Sequence, residues 1–68
     1  MDDIAAAEQI TAKAREAASQ DHDQMLAELK REVGKLVVQA TTRVTGKILT
    51  AEDQRRLAEE TSKEISVQ

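Results

Sequence analysis

The sequence predicts an elongated, coiled-coil-like all-α protein, with one long helix at about residues 2–46 and a short capped helix at about residues 51–66. Two observations support this. The 68 residues contain no proline, and helix-forming alanine, glutamate, glutamine, lysine and leucine dominate the first part of the chain. Between the two segments, Gly46 can adopt the left-handed conformation that stops a helix, which predicts a break near residues 46–50.

The long helix has ends that suit its dipole. Asp2 and Asp3 place carboxylates at the positive N-terminal end, while Arg43 and Lys47 place cations near the negative C-terminal end. Some 44 residues at 1.5 Å each would give a rod of about 66 Å. A single helix of that length cannot fold on itself.

The second helix begins with a capping pattern, because the Thr50 hydroxyl can accept a hydrogen bond from the backbone N–H of Asp53. Its oppositely charged side chains recur at helical spacing, in the pairs Glu52–Arg56, Arg55–Glu59, Arg56–Glu60 and Glu59–Lys63. Its apolar stripe is narrow and comprises Leu57, Thr61 and Ile65, with Ala58 beside them. Such a face could dock against another helix but could not form a core alone.

An eleven-residue apolar repeat runs along the long helix. It relates Ala7, Ala18, Leu29 and Ala40, and also Ala14, Met25 and Leu36. Eleven residues over three turns favour a nearly straight or slightly right-handed helix pair. The repeat is strongest from about Met25 to Ile48, and we therefore predict these partner-binding residues along the chain: Met25, Leu29, Val33, Leu36, Val37, Ala40, Val44, Ile48, Leu49, Leu57 and Ile65.

Composition excludes several functional classes. The chain is short and has no cysteine and no Phe, Tyr or Trp, and eleven of its apolar residues are alanine, so we expect no enzyme and no cofactor. A net charge of −3 without stacking aromatics argues against nucleic-acid binding. The apolar runs are far shorter than the roughly 20 residues that cross a bilayer, which predicts a soluble segment without direct membrane contact.

Two residues in the long helix admit alternative interpretations. His22 lies between Asp21 and Asp23, but adjacent helical side chains diverge, so we expect a solvated position rather than a metal site. If His22 instead lies on the seam of a helix pair, its protonation would weaken pairing. Gly34 in mid-helix indicates either close approach by another helix or subunit, or simple tolerance of one glycine.

The apolar stripe needs a cover. The short helix could fold back over it, but that helix offers only Leu57, Ala58, Ile65 and Val67, so we expect another subunit to cover the remainder. The charge runs at Lys30-Arg31-Glu32 and Arg55-Arg56 are most simply solvated faces.

The order of these features from Ala12 onward resembles a known family. The segment AKAREAASQDHDQMLAELKREVGKLVVQATTRVTGKIL, followed by TAEDQRRLAEETSKEI, is similar to the C-terminal half of subunit b, or its b-prime relative, of F-type ATP synthases. Its most specific part is the stretch from Leu29 to Ile48 together with Glu52-Asp53-Gln54-Arg55-Arg56-Leu57.

The resemblance implies a non-catalytic stator segment of the peripheral stalk. Its partners would be a second b or b-prime helix, the delta subunit and the catalytic head, on the cytoplasmic side of a bacterial inner membrane. Residues 1–24 would form stalk helix and residues 25–68 the partner-binding end, with the family's N-terminal membrane helix lying outside this sequence. The last helix is more polar than is usual in the family, with Ala58, Thr61 and Ser62 at positions where bulkier apolar residues are common.

The alternative is a generic coiled-coil or helical-hairpin interaction module. The residues also leave the oligomeric state open, since the stripe could pair with an identical copy, with a b-prime helix or with a swapped neighbour.

Overall fold

Two α-helices account for the structure, and the predicted all-α class is confirmed. The computed structural model describes residues 2–66, with α1 at Asp2–Thr45 and α2 at Ala51–Glu64. The molecule measures 68 × 19 × 14 Å, so its long dimension is set by α1. Met1, Val67 and Gln68 lie outside the described residues, as do the outer limits of the predicted segments 1–24 and 25–68.

The end of α1 is determined by Gly46. This residue has a φ of 67°, in the left-handed region that glycine adopts without steric cost. Its N–H still donates to the carbonyl of Thr42 at 2.9 Å, and the N–H of Lys47 donates to Thr45 Oγ1 at 3.3 Å. The helix therefore ends at Thr45, one residue before the predicted limit, and its last turn keeps hydrogen-bond partners.

The start of α2 has the predicted cap. Thr50 is extended, with φ −66° and ψ 161°, and its Oγ1 accepts from the N–H of Asp53 at 3.1 Å. The Gln54 side chain donates to the carbonyl of Leu49 at 3.0 Å, which fastens the helix to the connecting segment. At the other end Ile65 is extended, so α2 stops at Glu64 rather than at residue 66.

Ion pairs on α2 follow the predicted pattern only in part. Arg55 Nη1 and Glu59 Oε1 form the expected pair at 2.8 Å. The other contacts link residues three apart, Asp53 with Arg56 at 4.0 Å and Glu60 with Lys63 at 3.2 Å, and the remaining three predicted pairs are not formed within residues 3–66. All of these side chains are exposed, so each pair contributes at most about 1 kcal/mol.

The second helix folds back antiparallel onto the C-terminal half of α1, with Gln54 facing Gln39 near one end of the contact and Ser62 facing Ala27 near the other. Gly34 is the only buried residue in the described part of the chain. A Cβ placed on Gly34 would lie 3.3 Å from the Cβ of Ala58. Close approach is therefore the reason for the mid-helix glycine, and the approaching helix belongs to the same chain.

Small residues line this contact, together with polar residues whose hydroxyls form hydrogen bonds within their own helix. Thr41 and Thr61 are half-buried, and their hydroxyls donate to the carbonyls of Val37 and Leu57, four residues earlier, at 2.8 Å each. The hydroxyl group thus needs no partner on the other helix. No polar side-chain atom among the described residues is buried without a hydrogen bond, so the polar contact carries no desolvation penalty of that kind.

The hairpin covers only part of α1. A helix of 14 residues is about 21 Å long, and the half-buried positions of α1 accordingly fall between Leu26 and Thr42. Every described side chain from Asp3 to Met25 is exposed. The described residues include no buried apolar side chain, so residues 3–66 form no apolar core.

Replacing Gly34 with leucine should detach α2. The leucine side chain would occupy the space of Ala58, whereas leucine favours helix and would leave α1 intact. An undocked helix of 14 residues is only marginally stable in water. We therefore expect the helical signal in far-UV circular dichroism to fall, at most by the amount that α2 contributes. Amides of α2 should also lose their protection from hydrogen exchange. Gln20→Leu, at an exposed position outside the hairpin, is the matched control, and a fully protected α2 in Gly34→Leu would contradict the docking.

Replacing Thr50 with alanine should weaken α2 at its first turn. The N–H of Asp53 would lose its acceptor, at a cost of about 1 kcal/mol. We expect about fivefold faster hydrogen exchange at the α2 amides by NMR, with α1 unaffected. Thr11→Ala removes a hydroxyl that bonds only to the carbonyl of Ala7 within α1, and should leave α2 unchanged. Equal exchange in both variants would show that the cap does not stabilise α2.

Candidate helix-binding surface

The predicted partner-binding residues divide into two groups in the structure. Five of them are half-buried in the hairpin or beside it: Val33, Val37, Leu49, Leu57 and Ile65. The other six are exposed and form what we call the exposed stripe: Met25, Leu29, Leu36, Ala40, Val44 and Ile48. The fold-back of α2 thus covers part of the predicted surface and leaves the rest accessible.

The exposed stripe is unusually apolar for a free surface. Met25 is 69% exposed, Leu36 61%, Val44 86% and Ile48 91%. Scattered apolar residues on a surface need no explanation, but the members of the stripe from Met25 to Val44 recur at helical spacing on α1, which is typical of a helix-binding face. Ile48 lies beyond the end of α1, in the connecting segment. Ala7 and Thr11 fall on the same side of α1, and Ile4, which is 69% exposed, extends this side towards the N-terminus.

The hairpin contact contains residues outside the predicted partner-binding set. Leu26, Val38 and Ser62 are half-buried there, together with Gly34 and Ala58 at the point of closest approach. The spacing Leu26–Lys30–Val33/Gly34–Val37/Val38–Thr41 is itself a helical stripe, turned towards α2. An apolar pattern in the sequence does not indicate this stripe, because three of its positions are a lysine, a glycine and a threonine.

The narrow apolar face of α2 packs against α1 of the same chain. Leu57, Ala58, Thr61 and Ile65 are the half-buried positions of this helix and its cap, joined by Ser62. Small side chains at Ala58 and Ser62 let the helix axes approach, and bulkier residues there would hold them apart. The small size of these side chains therefore permits the close contact with Gly34 within the chain.

His22 lies on an exposed part of α1, next to the stripe. Its Nδ1 is 3.6 Å from Asp23 Oδ1, and the two side chains are 64% and 77% exposed. No group of three or more His, Cys, Asp or Glu side chains in residues 3–66 could hold a metal ion. His22 stands three residues before Met25 and seven before Leu29, which places it on the side of α1 that carries the stripe.

The comparisons with known proteins identify no relative. No family model, no curated protein and no solved structure matches this chain. The helices of residues 2–66 include none with the length and apolar character needed to cross a membrane.

Proposed function

We propose that this chain is a segment of the peripheral stalk of a bacterial F-type ATP synthase, where it pairs with a b-type helix and binds the delta subunit. The observation that supports this most directly is the exposed stripe on a helix of 44 residues. The proposal also draws on the resemblance of residues 12–65 to subunit b, which itself supplies the identity of the partners.

A stator must transmit force without bending, and α1 has the shape for this role. One uninterrupted helix gives the molecule its 68 Å length. However, residues 3–25 are exposed on all sides, and an isolated helix of that kind is only marginally stable in water. A second b or b-prime helix along the stripe would bury Met25, Leu29 and Leu36 and stiffen the rod.

The hairpin end suits attachment to the delta subunit. Val44 and Ile48 project next to the helix end, where the antiparallel return of α2 broadens a single helix into a two-helix platform. A partner docking there would gain about 25 cal/mol of binding free energy for each Å² of apolar surface that it covers. In the assembled enzyme this end would lie near the top of the catalytic head, on the cytoplasmic side of the bacterial inner membrane.

A generic helical-hairpin interaction module is the second candidate. The closed contact between Gly34 and Ala58 favours it, because the hairpin forms within one chain without any synthase subunit. The two candidates differ in their partners. A stator segment requires the delta subunit, whereas a generic module would bind an unrelated helix through the same stripe.

Binding of the purified delta subunit from the same organism tests the proposal. We expect Leu36→Asp and Val44→Asp each to weaken binding at least tenfold by calorimetry, because a carboxylate would be buried against an apolar partner. Both side chains are exposed in the free chain, so the hairpin should stay folded. Gln20→Asp, away from the stripe, is the control and should bind normally.

Val37→Asp gives a different result that separates the two surfaces. Val37 is half-buried towards α2, so the substitution should unfold the hairpin, visible as a loss of helix by circular dichroism, before any partner is added.

Absence of delta binding at micromolar concentration by the natural sequence would exclude the stator assignment and leave the generic module.

A further inference from the structure

A second surface runs along the other flank of the hairpin, in the groove between α1 and α2. It extends from Ala27 to Gln39 on α1, which is about 18 Å, and from Gln54 to Ser62 on α2. Gly34, Val38 and Ala58 form an apolar floor where the two helices approach most closely. The groove is open to solvent along its length, and its wider part measures about 480 Å³.

The rim of this groove is basic although the chain as a whole carries a net charge of −3. Its cations are Lys30, Arg31, Lys35 and Arg55, whereas Glu59 is the only carboxylate among the described residues that line it. Three cations come from one stretch of α1 and the fourth faces them from α2. The fold-back adds the fourth cation to this concentration of positive charge, because it brings Arg55 beside Arg31.

The cations of the rim are largely available to a partner. Lys35 contacts Glu32 at 3.3 Å and Arg55 contacts Glu59 at 2.8 Å, through exposed side chains. Exposed ion pairs of this kind are weak and can be exchanged for others. Lys30 and Arg31 form no ion pair within the described residues.

The groove and the exposed stripe are separate surfaces. Residues two apart on a helix point about 160° from each other, so Arg31 and Val38 face away from Leu29 and Leu36. A helix seated on the stripe would therefore leave the groove free. The two surfaces can be tested independently with substitutions on one flank or the other.

We propose that this groove binds an acidic amphipathic helix of another protein. Charge complementarity argues for carboxylates on the occupant, set on both sides of a small apolar residue that would rest on Val38 and Ala58. The length of the groove matches about twelve residues of helix. The backbone of α1 and α2 is already hydrogen-bonded within each helix, so recognition must come from side chains, as in other helix-in-groove complexes.

A protein helix fits this groove better than a nucleic acid does. The chain contains no Phe, Tyr or Trp on which bases could stack, and its net negative charge repels phosphates outside the groove. An apolar floor flanked by cations suits an amphipathic helix, whose apolar side chain and carboxylates are both satisfied there.

NMR titration of the ¹⁵N-labelled chain tests this inference. The probe is a blocked helical peptide of about 18 residues with leucine and alanine on one face and glutamate on both flanks. A second peptide carries glutamine at every glutamate. We expect the acidic peptide to shift the amides of Gly34, Val38 and Ala58, more than those of Leu29 and Leu36, and the glutamine peptide to bind several-fold more weakly.

Three variants that each remove one positive charge complete the experiment. Arg31→Gln should weaken binding of the acidic peptide roughly two- to fivefold, as expected for losing one exposed ion pair. Arg43→Gln removes the same charge from a position outside the groove, about 120° around α1 from Arg31, and should bind normally. Lys35→Gln provides a second position on the rim, so that the result does not rest on one arginine.

Three outcomes would overturn the inference. These are equal binding of the acidic and glutamine peptides, equal effects of Arg31→Gln and Arg43→Gln, and tighter binding of a single-stranded oligonucleotide of similar charge than of the acidic peptide. Failure of this inference is distinguishable from failure of the proposed function, because delta binding through the stripe should be weakened by Val44→Asp and not by Arg31→Gln.

Discussion

The close contact between Gly34 and Ala58 is the constraint on which the rest of this structure depends. With no side chain on Gly34, the two helices approach until a Cβ there would lie 3.3 Å from that of Ala58. This distance sets which turn of α2 faces which turn of α1, and so aligns Thr41, Thr61 and the neighbouring half-buried residues. The connection supplies the reversal, through the positive φ of Gly46 and the cap at Thr50, but it does not by itself fix how closely the helices pack.

A contact built from small residues has a mechanical consequence. It buries little apolar area, and the described residues provide no buried apolar core, so the hairpin gains modest stability from within. The same packing leaves one flank of α1 apolar and the other flank basic. Binding on either flank would add the stability that the isolated chain lacks, because a partner that binds only the folded form shifts the equilibrium towards it.

The sequence predicted local features well and the distribution of contacts less well. Gly46 ends α1 through its own positive φ, and Thr50 starts α2 through a hydroxyl that accepts from the N–H of Asp53, three residues later. Both effects depend only on residues close together in the sequence. The ion pairs were harder to predict: long exposed side chains can reach partners three or four residues away at similar energy, and of the four pairs expected only Arg55–Glu59 forms. For the cations of the basic rim, the sequence alone predicts two solvated charge runs, because Arg31 and Arg55 are far apart in the chain.

The sequence by itself determined that the chain is two helices with a break after Thr45, since helix propensity, the absence of proline and a glycine stop act locally. It also determined that more apolar surface lies on α1 than the chain can cover. Only the tertiary structure decided how that surface is divided: Val33 and Val37 turn towards α2, whereas Leu36 and Val44 stay open. The physical reason is geometric, because a period of 3.6 residues spreads neighbouring apolar residues around the helix, and the position of α2 alone selects which of them are covered.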